Sequence, residues 1–253
     1  MPSHANVLGV AVSALNMELA LTTIDQWIRS RQCQYVCVTG VHGVMESYRE
    51  PAVRTIHNRA GLVTPDGMPL VWLLRWAGFR EADRVYGPDL MLEVFARSKA
   101  CRYRHFLYGA SAKTLEALRT NLERRFPEAV IVGTHSPPFR ALTSAEGDAI
   151  VDRINHSGAD IVWVGLSTPA QERWMAEYRT RLTSPVLIGV GAAFDFHAGT
   201  VRQAPRLIQR SGLEWAFRLA MDPRRLWKRY FTNNPQFIGL VLAQKLGLRR
   251  FPL

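Results

Sequence analysis

Short apolar runs rich in β-branched residues alternate with longer amphipathic stretches through the first 199 residues of the chain. Seven runs are predicted as strands, at 7–12, 35–38, 62–64, 105–108, 130–134, 161–165 and 186–190. Seven stretches are predicted as helices, at 23–31, 51–60, 68–78, 90–99, 112–126, 144–155 and 169–181. This alternation is typical of an α/β fold with a Rossmann-like, mostly parallel sheet and helices on both faces.

The composition changes after residue 199, where the strand-like runs stop. Residues 200–253 contain eleven basic residues and two acidic ones, Glu214 and Asp222, which gives them a net charge of +9 out of +11 for the chain. Large apolar side chains interleave with the arginines, a pattern that predicts two or three helices broken near Gly212 and Pro223. We therefore predict an α/β domain at 1–199 and a basic amphipathic appendage at 200–253. Such local positive charge implies an anionic partner: a nucleic acid, an acidic membrane or a phosphorylated substrate.

Composition excludes several classes of protein. The chain has 253 residues, of which 47% are hydrophobic and 21% charged, so wholesale disorder is excluded. No apolar run approaches the about 18–20 residues of a membrane-spanning helix, and no basic region precedes the first apolar stretch as in a secretory signal. The three cysteines predict no disulfide framework and hence a cytoplasmic protein, with Cys33 and Cys37 as buried thiols.

Common catalytic motifs are incomplete in this sequence. The segment GVGAAF at 189–194 ends in Phe194 where a dinucleotide fingerprint needs a small residue, which leaves a nucleotide-dependent oxidoreductase as a weak alternative. GLSTP at 165–169 lacks the closing glycine of a nucleophile elbow. No zinc-site spacing and no Asp-x-Asp pair occur, so no metal site is predicted.

Polar residues in the loops after strands are the candidate site, because ligands of parallel sheets bind beyond the carboxyl ends of the strands. Thr39 and His42 in VTGVHG either face a ligand or form a turn with a solvated histidine. Asp66 in TPDG can act as a general base, although Pro-Asp-Gly is also a common turn sequence. In RVYGPDL, Arg84 suits a phosphate and Gly87 permits close approach, while the aspartate that follows is expected to cap a helix.

Two further segments carry candidate residues. Gln171 and Glu172 lie in the predicted first helical turn of TPAQERW, where polar side chains can bind a sugar or nucleotide or simply complement the helix dipole. Asp195 lies among small residues and two phenylalanines, which fits a functional acid but slightly favours a structural role. At the helix starts, Ser111 is expected to cap 112–126, and no capping box is expected at Ser144.

Taken together, these segments resemble the WecG/TagA/CpsF glycosyltransferases, also called glycosyltransferase family 26. The resemblance runs from about Asn6 to Tyr230, and the chain is most similar to the GumM type of exopolysaccharide glycosyltransferase. The segments that carry it are PDG at 65–67, RVYGPDL at 84–90, VGLSTPAQERW at 164–174, GVGAAFDFHAG at 189–199 and APRLIQRSGLEWAFRLAMDPRRLWKRY at 204–230.

The resemblance implies an inverting transfer of a sugar from a UDP-sugar to a polyprenyl-diphosphate-linked sugar, without a metal or other cofactor. It implies a peripheral protein on the cytoplasmic face of the bacterial inner membrane, attached to anionic lipid through residues 200–253. A homo-oligomer is left open, and no nucleic acid is implied. Carried over to this sequence, the proposed base is Asp66, and the substrate-binding residues are Thr39, Gln171, Glu172 and the appendage arginines Arg218, Arg224 and Arg225.

The sequence departs from the family pattern at one place. Many members read T-x-N after the second strand, whereas this chain reads Thr39-Gly40-Val41 followed by His42. We therefore expect a hexose such as glucose to be transferred, in exopolysaccharide assembly. The alternatives are N-acetylmannosaminyl transfer in the synthesis of a surface polymer, and a non-enzymatic nucleic-acid-binding protein with a basic C-terminal arm.

Overall fold

The computed structural model describes residues 2–253, which form eight strands and twelve helices. The strands are β1 (His4–Val7), β2 (Val10–Ser13), β3 (Gln34–Thr39), β4 (Leu62–Pro65), β5 (Arg104–Gly109), β6 (Val130–His135), β7 (Ile161–Gly165) and β8 (Val186–Gly189). The helices are α1 (Met17–Arg29), α2 (Val41–Arg49), α3 (Pro51–Arg59), α4 (Met68–Trp76), α5 (Gly87–Cys101), α6 (Ala112–Arg125), α7 (Ser144–Ser157), α8 (Ala170–Tyr178), α9 (Ala193–Ala198), α10 (Arg206–Arg210), α11 (Glu214–Met221) and α12 (Pro223–Lys245).

Six of the strands form one sheet, in the order β4-β3-β8-β7-β5-β6. β3 pairs with β8, β8 with β7, β7 with β5 and β5 with β6, and each of these pairs is parallel. The middle strands are apolar along their whole length, because a sheet covered on both faces exposes neither side of a strand. The α/β prediction is therefore confirmed.

The chain divides into two compact units. Unit 1 contains the described residues up to Met17, Val38–Tyr86 and Gln203–Leu253, and unit 2 contains Glu18–Cys37 and Gly87–Arg202. In unit 2, the buried guanidinium of Arg179 donates hydrogen bonds to the carbonyls of Leu182 and Ser184, both at 2.6 Å. That arginine thereby satisfies backbone acceptors in the loop before β8 that water cannot reach.

The first strand prediction, at 7–12, is wrong, because this segment is a hairpin. β1 and β2 pair antiparallel with Val7 opposite Val10. The two residues between them, Leu8 and Gly9, have φ angles of 52° and 89°. Left-handed backbone at both positions is what a two-residue hairpin turn needs, and the Asn6 side chain accepts the Gly9 N–H at 2.8 Å.

The C-terminal segment, residues 200–253, supplies part of the core of unit 1. Phe237 and Val241 of α12, together with Phe251, pack in the same buried cluster as Val7 and Leu70. α10, α11 and α12 are separated near Gly212 and Pro223, so the predicted helix breaks are confirmed. The functional division into a domain at 1–199 and an appendage at 200–253 stays a prediction.

Several local predictions can be compared with the structure. Ser111 caps α6, with its hydroxyl accepting the Thr114 N–H at 3.1 Å, as expected. No capping box begins at Ser144, as expected, but one begins one residue earlier: Glu146 accepts the Thr143 N–H at 2.8 Å and Thr143 accepts the Glu146 N–H at 3.3 Å.

Cysteines and one aspartate also differ from expectation. Cys37 is buried as predicted, but Cys33 is exposed, because it lies in the turn before β3 and not inside the strand. Asp89 lies in the first turn of α5, which begins two residues earlier at Gly87. It is therefore not the residue that precedes the helix, although its charge still complements the helix dipole.

Candidate active site

Asp66 lies in the turn where β4 ends and α4 begins. Its backbone N–H donates to the carbonyl of Thr39 at 3.0 Å, and its carbonyl accepts a hydrogen bond from Nε of Arg84. The carbonyl of Pro65 accepts the N–H of Val85 at 3.0 Å. A Cβ atom added to Gly40 would lie 3.8 Å from Oδ2 of Asp66, so this carboxylate faces the backbone just beyond β3. The half-buried carboxylate therefore projects from a turn whose backbone is fixed by three hydrogen bonds.

Arg84 connects this turn to the C-terminal segment. Its Nη2 donates to Oε2 of Glu214 in α11, and its Nη1 lies 3.3 Å from Oε1 of Gln209 in α10. The guanidinium lies over the ring of Tyr86, 3.9 Å from its centroid, and the Tyr86 hydroxyl donates to Oε1 of Glu214 at 3.0 Å. Both carboxylate oxygens of Glu214 are thus occupied within unit 1.

The charges in this cluster perturb its ionisable groups. Burial lowers the pKa of Arg84, whereas the nearby Asp66, Glu214 and Tyr86 raise it. Their combined effect is larger than that of burial, so the pKa of Arg84 is raised. Burial, Glu214 and Asp66 raise the pKa of Tyr86 well above its ordinary value. The phenol therefore stays protonated and acts as a donor to Glu214. The side chains of Arg84 and Glu214 are only 10% and 14% exposed.

Thr39 and His42 lie on either side of a helix start that the sequence did not reveal. Thr39 is buried at the end of β3, and His42 belongs to the first turn of α2, so the interpretation of VTGVHG as a turn is wrong. A Cβ atom on Gly43 would lie 2.9 Å from Cγ2 of Thr39, which explains a glycine inside this helix. The side-chain amide of Asn233 donates to Nδ1 of His42 at 3.2 Å, and its oxygen accepts from Arg49 at 2.5 Å.

Gln171 and Glu172 occupy the first turn of α8 in unit 2, where both are almost fully buried, at 2% and 1% exposure. Oε1 of Glu172 accepts from Nε2 of Gln171 at 3.1 Å and from the Thr168 hydroxyl at 3.0 Å. Among the described residues, Oε1 of Gln171 and Oε2 of Glu172 have no hydrogen-bond partner. Unpaired buried acceptors are uncommon in proteins and suit a ligand that brings N–H or O–H donors. Burial and Glu172 together raise the pKa of Cys37 well above its ordinary value.

Two glycines, Gly189 and Gly191, leave room for the side chain of Gln171. A Cβ atom on Gly189 would lie 2.7 Å from Cε of Met175 and 3.1 Å from the Gln171 side chain. Gly191 has a φ angle of 49°, and a Cβ atom there would lie 3.1 Å from the Leu166 carbonyl. Any side chain at Gly189 would therefore displace Gln171 or Met175.

The remaining predicted residues are distributed over both units. Gly87 is the buried first residue of α5, and Asp195 lies half-buried in the short helix α9, with its carbonyl accepting the Thr200 N–H at 3.0 Å. Arg218 is half-buried on α11. Arg224 and Arg225 are exposed at the start of α12, and Arg225 pairs with Asp222 at 2.6 Å. Their roles, like those of Asp66, Thr39, His42, Arg84, Gln171 and Glu172, stay predictions.

Sequence reasoning missed the residues that surround Arg84. Tyr86, Gln209 and Glu214 form its immediate environment, yet Gln209 and Glu214 lie more than 120 residues away along the chain. One signal was available for Glu214, because it is one of only two acids in a segment with a net charge of +9. Asn233 gave no such signal.

The described residues contain neither a cluster of metal ligands nor a membrane-spanning helix. Within residues 2–253, no group of three or more histidines, cysteines or carboxylates is arranged to hold a metal ion. In the same part of the chain, no helix combines the length and the apolar character needed to cross a membrane.

Comparison with known proteins identifies the family. The sequence model described as "Glycosyl transferase WecG/TagA/CpsF family" matches residues 5–251. The chain belongs to this family. It is therefore a glycosyltransferase by family, and the resemblance found in the sequence is confirmed over nearly the whole chain.

Two relatives within the family show how far the similarity extends. A protein of Bacillus subtilis (strain 168) is 29% identical over 192 residues, which cover 76% of this chain and 72% of the relative. A protein of Staphylococcus aureus (strain MW2) is 28% identical over 250 residues, which cover 98% of this chain and 96% of the relative. Both relatives are named N-acetylglucosaminyldiphosphoundecaprenol N-acetyl-β-D-mannosaminyltransferase.

Proposed function

We propose that this chain transfers an N-acetylmannosaminyl residue from a UDP-sugar to an N-acetylglucosamine linked to a polyprenyl diphosphate. The observation that carries this proposal is the name of the Staphylococcus aureus relative, whose alignment covers 98% of the chain. The names of the relatives support neither the hexose nor the exopolysaccharide role that we expected from the sequence.

The structure offers a reason why the missing asparagine is a weak guide to the transferred sugar. The expectation of a hexose rested on Val41, which replaces the asparagine of the T-x-N pattern. Asn233 of α12 places its carboxamide 3.2 Å from the adjacent residue, His42. A carboxamide from another part of unit 1 thus lies beside this helix start, held by His42 and Arg49, which supports the N-acetylmannosaminyl alternative.

Asp66 is the proposed general base. Its carboxylate takes the proton of the acceptor hydroxyl, whose oxygen forms a bond to the anomeric carbon of the donor sugar. The bond from that carbon to the β-phosphate oxygen breaks, and UDP leaves with the electron pair. The anomeric configuration is inverted in this single displacement, and Asp66 releases its proton to solvent afterwards.

Contacts to the donor are proposed for Gln171, Glu172 and three arginines of the C-terminal segment. The unpaired acceptors of Gln171 and Glu172 suit N–H groups of a base or hydroxyl groups of a sugar, and not phosphate oxygens. The leaving diphosphate gains negative charge, for which arginines are suitable partners. Arg218, Arg224 and Arg225 are the proposed sources of that charge; Arg218 is half-buried, and Arg224 and Arg225 are exposed.

Peripheral attachment to the cytoplasmic face of the inner membrane is proposed for the C-terminal segment. Trp227 and Phe231 are 55% and 67% exposed on α12, beside the exposed cations Arg224 and Lys228. Apolar rings interleaved with cations suit the headgroup region of an anionic leaflet, where each Lys or Arg contributes about 1 kcal/mol. This pattern favours lipid over nucleic acid as the anionic partner.

The test is a transfer assay with a panel of UDP-sugars and two acceptors, polyprenyl-diphosphate-N-acetylglucosamine and polyprenyl-diphosphate-glucose. We expect UDP release and a lipid product enlarged by one N-acetylhexosamine with UDP-N-acetylmannosamine and the first acceptor. Faster transfer from UDP-glucose would restore the hexose interpretation. No transfer from any donor, combined with RNA binding tighter than vesicle binding at the same salt concentration, would favour the nucleic-acid-binding alternative.

A further inference from the structure

Three backbone groups at Asp66 and its neighbour Pro65 have specific hydrogen-bond partners. One of these partners is a side chain, that of Arg84. The Asp66 N–H is bound by the Thr39 carbonyl and the Pro65 carbonyl by the Val85 N–H, both at 3.0 Å. The Asp66 carbonyl is bound by Nε of Arg84. The position of the carboxylate therefore depends on where the Arg84 guanidinium is held.

The guanidinium is held chiefly by Glu214. Oε2 of Glu214 accepts from Nη2 of Arg84, while Oε1 accepts from the Tyr86 hydroxyl at 3.0 Å. The Tyr86 ring lies against the guanidinium, with its centroid 3.9 Å away. Gln209 adds only a longer contact, 3.3 Å from Nη1. Glu214 is thus the single charged group of the C-terminal segment that fixes Arg84.

Burial makes this pair unlike the Asp222–Arg225 pair of the C-terminal segment. Arg84 and Glu214 are 10% and 14% exposed, whereas the other acid of that segment, Asp222, is 42% exposed and pairs with Arg225 within one helical turn. An exposed pair of that kind contributes little. Removal of Glu214 would leave Asp66 as the acid that still compensates the buried Arg84 charge, so the guanidinium would move from its present position toward that carboxylate.

We propose that Glu214 is a positioning residue of the transfer reaction, which acts through Arg84 to fix the turn that carries Asp66. This inference rests on the proposed function. It requires the C-terminal segment to be docked for the base to be in place, because Glu214 is the first residue of α11. Misplacement of a base by about 1 Å lowers the rate about 100-fold, so the effect is measurable.

The experiment compares E214A and E214Q with D83A and D83N in the full chain. Asp83 is a matched control, because it precedes Arg84 directly and its side chain is 54% exposed in an ion pair with Arg75 at 3.2 Å. We expect E214A to lower kcat by about 10- to 100-fold with the donor KM changed less than about threefold. E214Q keeps the shape and an acceptor oxygen, so its kcat should lie between those of E214A and the wild type. D83A and D83N should stay within about twofold of the wild type.

A second measurement separates this inference from the proposed function. Hydrogen exchange of peptides that cover residues 64–67 and 84–86 needs no substrate. The amides of Asp66 and Val85 should exchange faster in E214A and E214Q than in D83A and D83N. If the wild type transfers no sugar, the proposed function fails while the exchange rates still decide whether Glu214 fixes the turn.

Three results would overturn the inference. The first is a kcat for E214A within about twofold of the wild type. The second is unchanged exchange at residues 64–67 in both Glu214 variants. The third is a lower donor KM together with a higher kcat in E214Q, which would mean that Glu214 competes with the diphosphate for Arg84. E214Q serves as the deciding variant if the thermal melt shows that E214A does not fold.

Discussion

The backbone N–H of Asp66 donates to the carbonyl of Thr39 at 3.0 Å, which joins the end of β4 to the end of β3. Asp66, predicted as the base, and Thr39, predicted to bind substrate, are therefore linked through their main chains. A substitution that keeps the backbone can remove the carboxylate charge of Asp66 without releasing this link.

Asp66→Asn should abolish most of the transfer while leaving the fold intact. Loss of a general base lowers the rate by about 10²- to 10⁴-fold. The amide has nearly the same volume as the carboxylate, so UDP binding and the melting temperature should stay close to those of the wild type. Rates come from UDP release, and UDP affinity from calorimetry. Full activity of this variant would disprove Asp66 as the base.

Phe237→Ala and Phe231→Ala should differ strongly in stability although both residues lie on α12. Phe237 is 5% exposed in the core of unit 1, and Phe231 is 67% exposed. The first change should cost about 3–5 kcal/mol of unfolding free energy because it leaves a cavity. The second should cost less than about 0.5 kcal/mol. Equal midpoints in urea denaturation would show that α12 does not contribute to the core.

This contrast also affects how the membrane proposal should be tested. Truncation near residue 199 would remove Phe237, Val241 and Phe251 from the core of unit 1 and Glu214 from Arg84. Loss of membrane binding in such a truncation could then follow from unfolding alone. Point variants on the exposed part of the segment avoid this problem.

The double variant Arg224→Glu and Lys228→Glu should bind anionic vesicles at least about tenfold more weakly than the wild type. Both residues are exposed, so the melting temperature should not change. The control is Lys113→Glu with Arg124→Glu, which changes the net charge equally on exposed positions of α6. Flotation with phosphatidylglycerol vesicles gives the comparison. Equal loss in both double variants would indicate a response to net charge and not to this surface.

Stability should fall between pH 7 and pH 5 because of His105. Burial lowers the pKa of His105 to about 3, whereas its ordinary value is 6.5. The unfolded chain therefore takes up a proton at this residue before the folded chain does, and the stabilisation present above pH 6.5 is lost as the pH falls toward 3. For one such histidine the loss from pH 7 to pH 5 is about 2 kcal/mol.

The variant His105→Gln isolates this contribution. It should be less stable than the wild type at pH 7, because His105 accepts from Trp163 at 3.1 Å and stacks on Phe95 at 4.0 Å. Its unfolding free energy should nevertheless fall by about 2 kcal/mol less than that of the wild type between pH 7 and pH 5. Parallel curves of unfolding free energy against pH for the two proteins would contradict the assignment to His105.

The sheet could be predicted from sequence because its strands are short apolar runs of a single kind. Helix α2 could not be predicted from sequence, since Gly40 and Gly43 in VTGVHG are typical of a turn. Gly43 is instead required by the close approach of Thr39, a contact that only the folded chain reveals. The hairpin at 4–13 was missed for a related reason, because Leu8 is apolar and fully buried although its backbone is left-handed.

The sequence predicted those candidate site residues that lie in loops directly after strands. Asp66 and Arg84 stand out because polar residues follow strands at those positions. Glu214 acts through a partner 130 residues away, and no periodicity or spacing encodes such a pairing. Asn233 beside His42 is a second case of the same kind.

The N- and C-terminal segments of the chain meet in unit 1, where the Asn6 amide donates to the carbonyl of Phe251 at 2.7 Å and Gln244 binds the backbone of Asn6 and Leu8 at 3.1 Å. During synthesis, the hairpin leaves the ribosome more than 200 residues before Gln244 and Phe251, which bind it in the folded chain. Unit 2 ends at Arg202 and can fold while later residues are still being made, whereas unit 1 also needs residues 203–253. Nascent protein should therefore pass through a stage in which β1 and β2 remain open to chaperones.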